Sequence, residues 1–194
     1  MVDKVLKARW IGLVASGAFA LMAAGQVAGA QAAGIDPALM AKAAAGDPAA
    51  QVAVGECYAS GTGVTQDYKL ASEWYQKAAD KDDIAGELHL AALYRDGGKD
   101  FPQDMVQAAS WYLKAADKGD VSAQVTMGTL YSMGQGVDQN YAEAYYWLDL
   151  AAAVKGPKQE QYAAHRQMMG AHITADELAA VQAREVAWKA AHPR

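Results

Sequence analysis

One cysteine, Cys57, stands alone in 194 residues, so no internal disulfide can hold this chain together. No phosphate loop is present. The spaced glycines of Gly61-Thr62-Gly63 and Gly134-Gln135-Gly136 are not followed by Lys-Ser or Lys-Thr, and no strand pattern precedes them. Ser60, Ser72, Ser110, Ser122 and Ser132 have no distinctive flanks, and no nucleophile–base–acid set stands out. Beyond residue 30 no apolar run reaches the roughly 20 residues that a bilayer-crossing helix needs. Positive charge is also short, with 17 Lys and Arg against 22 Asp and Glu. That balance argues against nucleic acid and anionic membrane surfaces as partners. Enzymatic chemistry is not expected, and no cofactor is implied.

The first thirty residues read differently from the rest. Lys4, Lys7 and Arg9 make a positive start, Trp10–Ala24 is apolar and uncharged, and Ala28-Gly29-Ala30 supplies small residues at cleavage spacing. This is the pattern of a secretory signal peptide, with an apolar run of about 15 residues that is short for a membrane anchor. No cysteine lies near that point, so lipoprotein processing is not expected. Loss of three bases (Lys4, Lys7, Arg9) and one acid (Asp3) would move the formal charge from −5 to −7. The location implied is the periplasm, and no membrane contact is expected of the mature form.

What the chain has in abundance is self-similarity. Ala71-Ser72-Glu73-Trp74-Tyr75, Ala108-Ala109-Ser110-Trp111-Tyr112 and Ala144-Tyr145-Tyr146-Trp147-Leu148 are three versions of one segment. Each tryptophan follows a tyrosine (Tyr58, Tyr94, Tyr131) by 16 or 17 residues, and each tyrosine follows an aspartate (Asp47, Asp83, Asp120) by 11. A repeat near 36 residues marks a solenoid. Each unit has two segments with helix-favouring composition around a Gly-rich break, so each is a helical hairpin whose apolar side is covered only by stacking. The three aspartates are placed to cap the first helices. In the second unit the break Gly97-Gly98-Lys99-Asp100-Phe101-Pro102 is one residue longer, and Phe101 is expected to plug the hairpin end as Val64 and Val137 do. Trp111, in the central unit, is expected in packed core, and Cys57 as a small buried residue in the place of Leu93 and Leu130.

These residues resemble the Sel1-like repeat family, a tetratricopeptide-like group. Val54-Gly55-Glu56-Cys57-Tyr58, Gly61-Thr62-Gly63-Val64, Asp67 and Trp74-Tyr75 carry its motif in the first unit. Met127-Gly128-Thr129-Leu130-Tyr131, Gly134-Gln135-Gly136-Val137 and Trp147 carry it in the third. The resemblance implies an all-α, right-handed α-α superhelix used as a protein-binding scaffold. The expected organisation is a signal peptide over 1–30, an N-terminal cap over 31–46, repeats over 47–82, 83–119 and 120–155, and capping helices over 156–194. Two helices are expected in that last segment, near 158–171 and 175–190, with a Thr174/Glu177 capping box and with Val181, Val186 and Trp188 closing the stack.

Two sets of residues are candidates for function. Overlaying the units leaves a stripe that does not match: Ala53, Glu56 and Ser60; His89, Ala92 and Asp96; Thr126, Thr129 and Met133. Its spacing is i, i+3, i+7, one face of each first helix, and packing does not dictate its chemistry. This is the expected partner-binding band. The second set is His165-Arg166-Gln167-Met168-Met169-Gly170-Ala171-His172, whose imidazole and thioether groups suit Cu(I). It supports an alternative reading as a periplasmic metal-binding or envelope-stress protein. The simpler account is that the methionines pack the cap, and on that account no specific Cu(I) site is expected.

The sequence thus points to a non-catalytic periplasmic scaffold that binds a protein, as an envelope or secretion adaptor or as an immunity-type inhibitor of a toxin. Sequencing the N-terminus of protein from a periplasmic fraction should begin near Gln31. An intact Met1 in the membrane fraction would reject cleavage.

Overall fold

The computed structural model describes residues 34–193, so the signal-peptide reading and the first residues of the expected cap lie outside the described residues. Among the described residues there are nine helices: α1 (Pro37–Ala44), α2 (Pro48–Ser60), α3 (Tyr68–Ala79), α4 (Ile84–Asp96), α5 (Met105–Asp117), α6 (Val121–Met133), α7 (Tyr141–Ala152), α8 (Gln159–Gly170) and α9 (Ala175–Ala191). The pairs α2/α3, α4/α5 and α6/α7 are the three hairpins. From α1 to α8 each helix packs on its neighbours in sequence, α2 also touches α4, and α9 docks on α7. The result is the α-α superhelix that the repeat demands.

Side-chain caps explain where the helices begin. Asp47, Asp83 and Asp120 accept from the backbone N–H groups of Ala50, Gly86 and Ala123 at 2.9, 2.8 and 2.7 Å. Asp67, Asp104 and Asn140 do the same for the second helices. Each such bond satisfies an amide that the helix leaves unpaired and stabilises by about 1 kcal/mol. The longer break of the second unit closes differently from the others. Gly98 and Phe101 exchange two backbone hydrogen bonds, and Asp100 takes a positive φ of 59°. Phe101 then lies against Tyr94, ring centres 5.2 Å apart, and covers the core around Leu90 and Leu93.

The units are joined at a repeating polar contact. The buried amide of Gln51 donates to the carbonyl of Ala43, and that of Gln124 to Ala116, both at 3.2 Å. Each bond ties the start of a first helix to the end of the helix before it. The second unit has Glu87 at this place, 1% exposed. A carboxylate cannot donate, and instead it accepts from Lys118 Nζ at 2.9 Å. Lys118 also reaches the carbonyl and carboxylate of Asp82, at 3.1 and 2.8 Å. One unit earlier, Lys81 makes the matching bond to the carbonyl of Gly46. Asp82 holds φ at 61° where Gly46 and Gly119 have 94° and 90°, a conformation that favours glycine. The Lys118 ammonium keeps its carboxyl below the usual carboxylate range.

The ends are closed by α1 on one side and α8 and α9 on the other. α1 occupies the place of a second helix. The segment before it, at Gly34, bonds to the Gly63 carbonyl at 2.9 Å, and two units later Gly136 packs its backbone on Met105 at the start of α5. The α9 capping box is formed: Glu177 N–H donates to Thr174 Oγ1 at 3.3 Å, and Thr174 N–H to Glu177 Oε2 at 2.7 Å. Val181 and Trp188 are buried against the core, one face of α9 at i, i+7. Val186, expected beside them, is exposed because it lies off that face.

Two further expectations are corrected. Trp111 is half-buried, with Lys114 Nζ 3.5 Å above its ring. The fully covered tryptophan is Trp147, on the helix that α8 and α9 pack against. In the first two hairpins the adjacent tyrosines, Tyr75 and Tyr112, are the buried members of the pair. Cys57 is half-buried, unlike Leu93 and Leu130. Those leucines pack among residues of a complete preceding hairpin, whereas only the eight-residue α1 precedes Cys57.

The polar junction yields a direct test. Lys118→Met leaves the Glu87 carboxylate buried without its cation and should cost about 2–3 kcal/mol. Adding Glu87→Gln, the residue type of the other two junctions, should recover most of that loss. Urea melts of the three proteins measure both effects. No recovery in the double variant would reject the proposed equivalence of the junctions.

Candidate functional site

The expected band is carried by α2, α4 and α6, and the structure divides it into three parts. The first is a pair. His89 Nε2 stands 3.3 Å from Glu56 Oε1, joining the first and second units. The imidazole lies flat on Tyr75, ring centres 5.0 Å apart. Burial pushes the Tyr75 hydroxyl up to about 12, and the Glu56 carboxylate adds to the shift. The phenol therefore stays neutral beneath the histidine at physiological pH. Ala53 is half-buried nearby in α2. Ser60 is engaged at the helix end, where its hydroxyl donates to the Glu56 carbonyl at 2.7 Å.

The second part is a cleft of about 680 Å³ between the second and third units. Asp96 from α4 and Thr126 and Thr129 from α6 line it together, and Ala92 lies one turn before Asp96. Both threonine hydroxyls bond back to their own helix, to Ser122 and Val125 at 2.9 and 3.1 Å. Residues outside the expected band complete the walls: Arg95, Gln103, Met105 and Gln135. Arg95 grips Asp96 through Nε and Nη2 at 2.7 and 2.9 Å, and its Nη1 donates to the Tyr112 hydroxyl at 3.0 Å. The hydrogen-bonded guanidinium holds the Asp96 carboxyl below the usual carboxylate range. Gln103 caps the arrangement by donating to the Arg95 carbonyl at 2.5 Å. A signal for Arg95 exists in the sequence. The second unit has Arg95-Asp96 where the others have Ala59-Ser60 and Ser132-Met133, the only charged pair at that place.

The third part leaves the band. Met133 turns to a separate pocket of about 280 Å³, where Leu148 forms part of the wall and His165, Met168 and Met169 of α8 face it. His172 does not join them. α8 ends at Gly170, and His172 stacks on Tyr141 with ring centres 4.6 Å apart. The i, i+7 alignment expected of His165 and His172 is therefore broken by the helix end. Among the described residues no three His, Cys, Asp or Glu side chains are grouped to hold a metal ion. No helix among them is long and apolar enough to cross a membrane.

Comparison with known proteins agrees with this architecture. The Sel1 repeat model matches residues 48–83, 84–120 and 121–153, more than half of the chain. Among solved structures, the chain is similar to c5321, described as a protective antigen present in uropathogenic Escherichia coli strains displaying an SLR fold. The TM-score is 0.64 at 30% identity, over 78% of this chain and 32% of that one. It is also similar to a Sel1 repeat protein from Oxalobacter formigenes, with a TM-score of 0.56 at 36% identity, over 60% of this chain and 47% of that one. The chain thus spans about a third and about half of these two relatives. A comparison with curated proteins finds no match. Sel1 repeats are in general non-catalytic scaffolds for protein–protein interaction. With three matched repeats, the motif residues at their hairpin positions and two structural relatives of the same kind, the chain belongs to the Sel1 repeat family.

Proposed function

We propose that this chain is a non-catalytic periplasmic scaffold that binds another protein along its first helices. The observation that carries the reading is the cleft between the second and third units. Asp96, Thr126 and Thr129 come together there from two repeats, and none of them is needed to fill the core. An open cleft walled by a fixed ion pair, threonine methyls and amide side chains suits an extended segment of a protein partner. Its donors and acceptors orient the segment while apolar atoms supply contact. The Glu56–His89 pair extends the same band into the first unit. Ala53 and Ala92 leave room beside it, and Ser60 closes it at one end.

Two jobs suit such a scaffold: an adaptor in an envelope or secretion assembly, and an immunity-type inhibitor that masks a toxin. A neighbouring toxin gene would favour the second, and an export or polysaccharide operon the first. The acidic balance of the chain favours a partner with a basic contact surface and disfavours nucleic acid.

A pull-down from periplasmic extract, followed by titration of the captured partner, tests the proposal. Glu56→Lys with Asp96→Lys should weaken binding at least tenfold, about 1.4 kcal/mol, with an unchanged melting curve. Lys69→Glu with Glu73→Lys, on the exposed face of α3, should leave affinity intact. The reverse pattern would place the partner on the second helices and reject the band.

A further inference from the structure

We propose that Met133, His165, Met168 and Met169 form a binding site for a soft monovalent metal ion of the Cu(I) type. The site goes beyond the protein-binding reading, and it lies in a different pocket from the cleft.

The argument begins with the histidines. His89 is paired with Glu56 and stacked on Tyr75. His172 is stacked on Tyr141, and His192 on Trp188 with its ring nitrogen on a backbone carbonyl. His165 is different: among the described residues its side chain has no hydrogen bond, ion pair or ring contact. It is also the histidine that faces thioethers.

Two of the three methionines, Met133 and Met168, are not accounted for by packing. Met127, one helical turn and a half before Met133 on α6, is fully covered in the core. Met133 and Met168 are each 61% exposed, although large apolar side chains are normally withdrawn from water. Both nevertheless line the same pocket as His165 and Met169. On α8 the three ligands fall at i, i+3 and i+4, one face of the helix, and Met133 approaches from the end of α6 across Leu148.

The chemistry of the pocket selects the ion. It is lined by no carboxylate and no thiol. The hydroxyls of Thr129 and Ser132 are engaged with carbonyls of their own helix, at 3.1 and 2.8 Å. One imidazole with up to three thioethers is a soft donor set, which favours Cu(I) over Zn²⁺, Mg²⁺ or Ca²⁺. The unbranched methionine side chains have the rotational freedom to close on an ion without moving the backbone. The expectation that no such site exists followed from methionines packing the cap, and the candidate ligand set lay within 165–172 and included His172. The structure removes His172 and adds Met133 from a different repeat.

The test uses the purified protein with Ag(I) as a redox-stable probe, and with Cu(I) under anaerobic conditions against a chromogenic competitor. One equivalent should bind. Met133→Leu and His165→Gln should each weaken binding at least tenfold, and His172→Gln should not change it. The methyl resonances of Met133, Met168 and Met169 should shift on binding while that of Met127 stays in place. Three outcomes would overturn the proposal: no stoichiometric binding, binding that survives both Met133→Leu and His165→Gln, or Zn²⁺ bound as tightly as Ag(I). Because Met133 and His165 are exposed, unchanged melting curves separate loss of the site from loss of the fold.

Discussion

The structure depends on a buried polar side chain near the start of each first helix, Gln51, Glu87 or Gln124. A helical hairpin of this size cannot cover its own apolar side, so stacking supplies the core. Apolar contact alone would let one hairpin slide or rotate on the next. The buried amides of Gln51 and Gln124 prevent this, because each must meet a carbonyl at the end of the preceding helix or remain unsatisfied. At the junction of the first two units Glu87 is held instead by Lys118 of its own unit, and the same ammonium reaches back to Asp82 at the end of the first unit. The lysine ties, Lys81 to Gly46 and Lys118 to Asp82, run alongside and repeat with the period of the chain.

Where the junctions stop, the chain needs different devices. On the N-terminal side α1 stands in for a second helix and covers Ala50 and Val54. Its cover is partial, which is why Cys57 remains half-open. On the other side α7 receives two helices, α8 and α9, and becomes the most enclosed of the second helices, with Tyr146, Trp147, Leu148 and Leu150 all buried. Arg184 of α9 lies over Tyr146 at 3.9 Å and pairs with Glu143 at 2.5 Å, so the cap is held by charge and stacking as well as by Val181 and Trp188.

The same stacking creates the two surfaces proposed to bind ligands. A cleft lies between the second and third units, lined from α4 and α6, and the Arg95–Asp96 pair forms part of its wall. Beyond α6, the cap helix α8 lies beside α7 and forms a smaller pocket with α6, where thioethers gather. Both surfaces are products of contact between elements distant in sequence. Each is therefore adjustable by changing a few side chains without disturbing the junctions that keep the repeats in register.

Much of this was written in the chain itself. The spacing of Asp, Tyr and Trp determined the number of hairpins, their boundaries to within a residue or two and the family, because capping and helical periodicity act over a few residues. The capping box at Thr174 and Glu177 was legible for the same reason. The identity of the buried aromatic was not: Trp111 and Trp147 have similar local contexts, and only the helices that later cover them decide their burial. The band was legible as a set of unmatched positions, but its division was not. Glu56 meets His89 of the next unit, and Met133 leaves for a second pocket, because side-chain partners across repeats depend on the rotation between hairpins. Local sequence sets what each helix offers. The superhelical stacking decides which of those offers face one another, since that angle arises from packing of whole helices and not from any single segment.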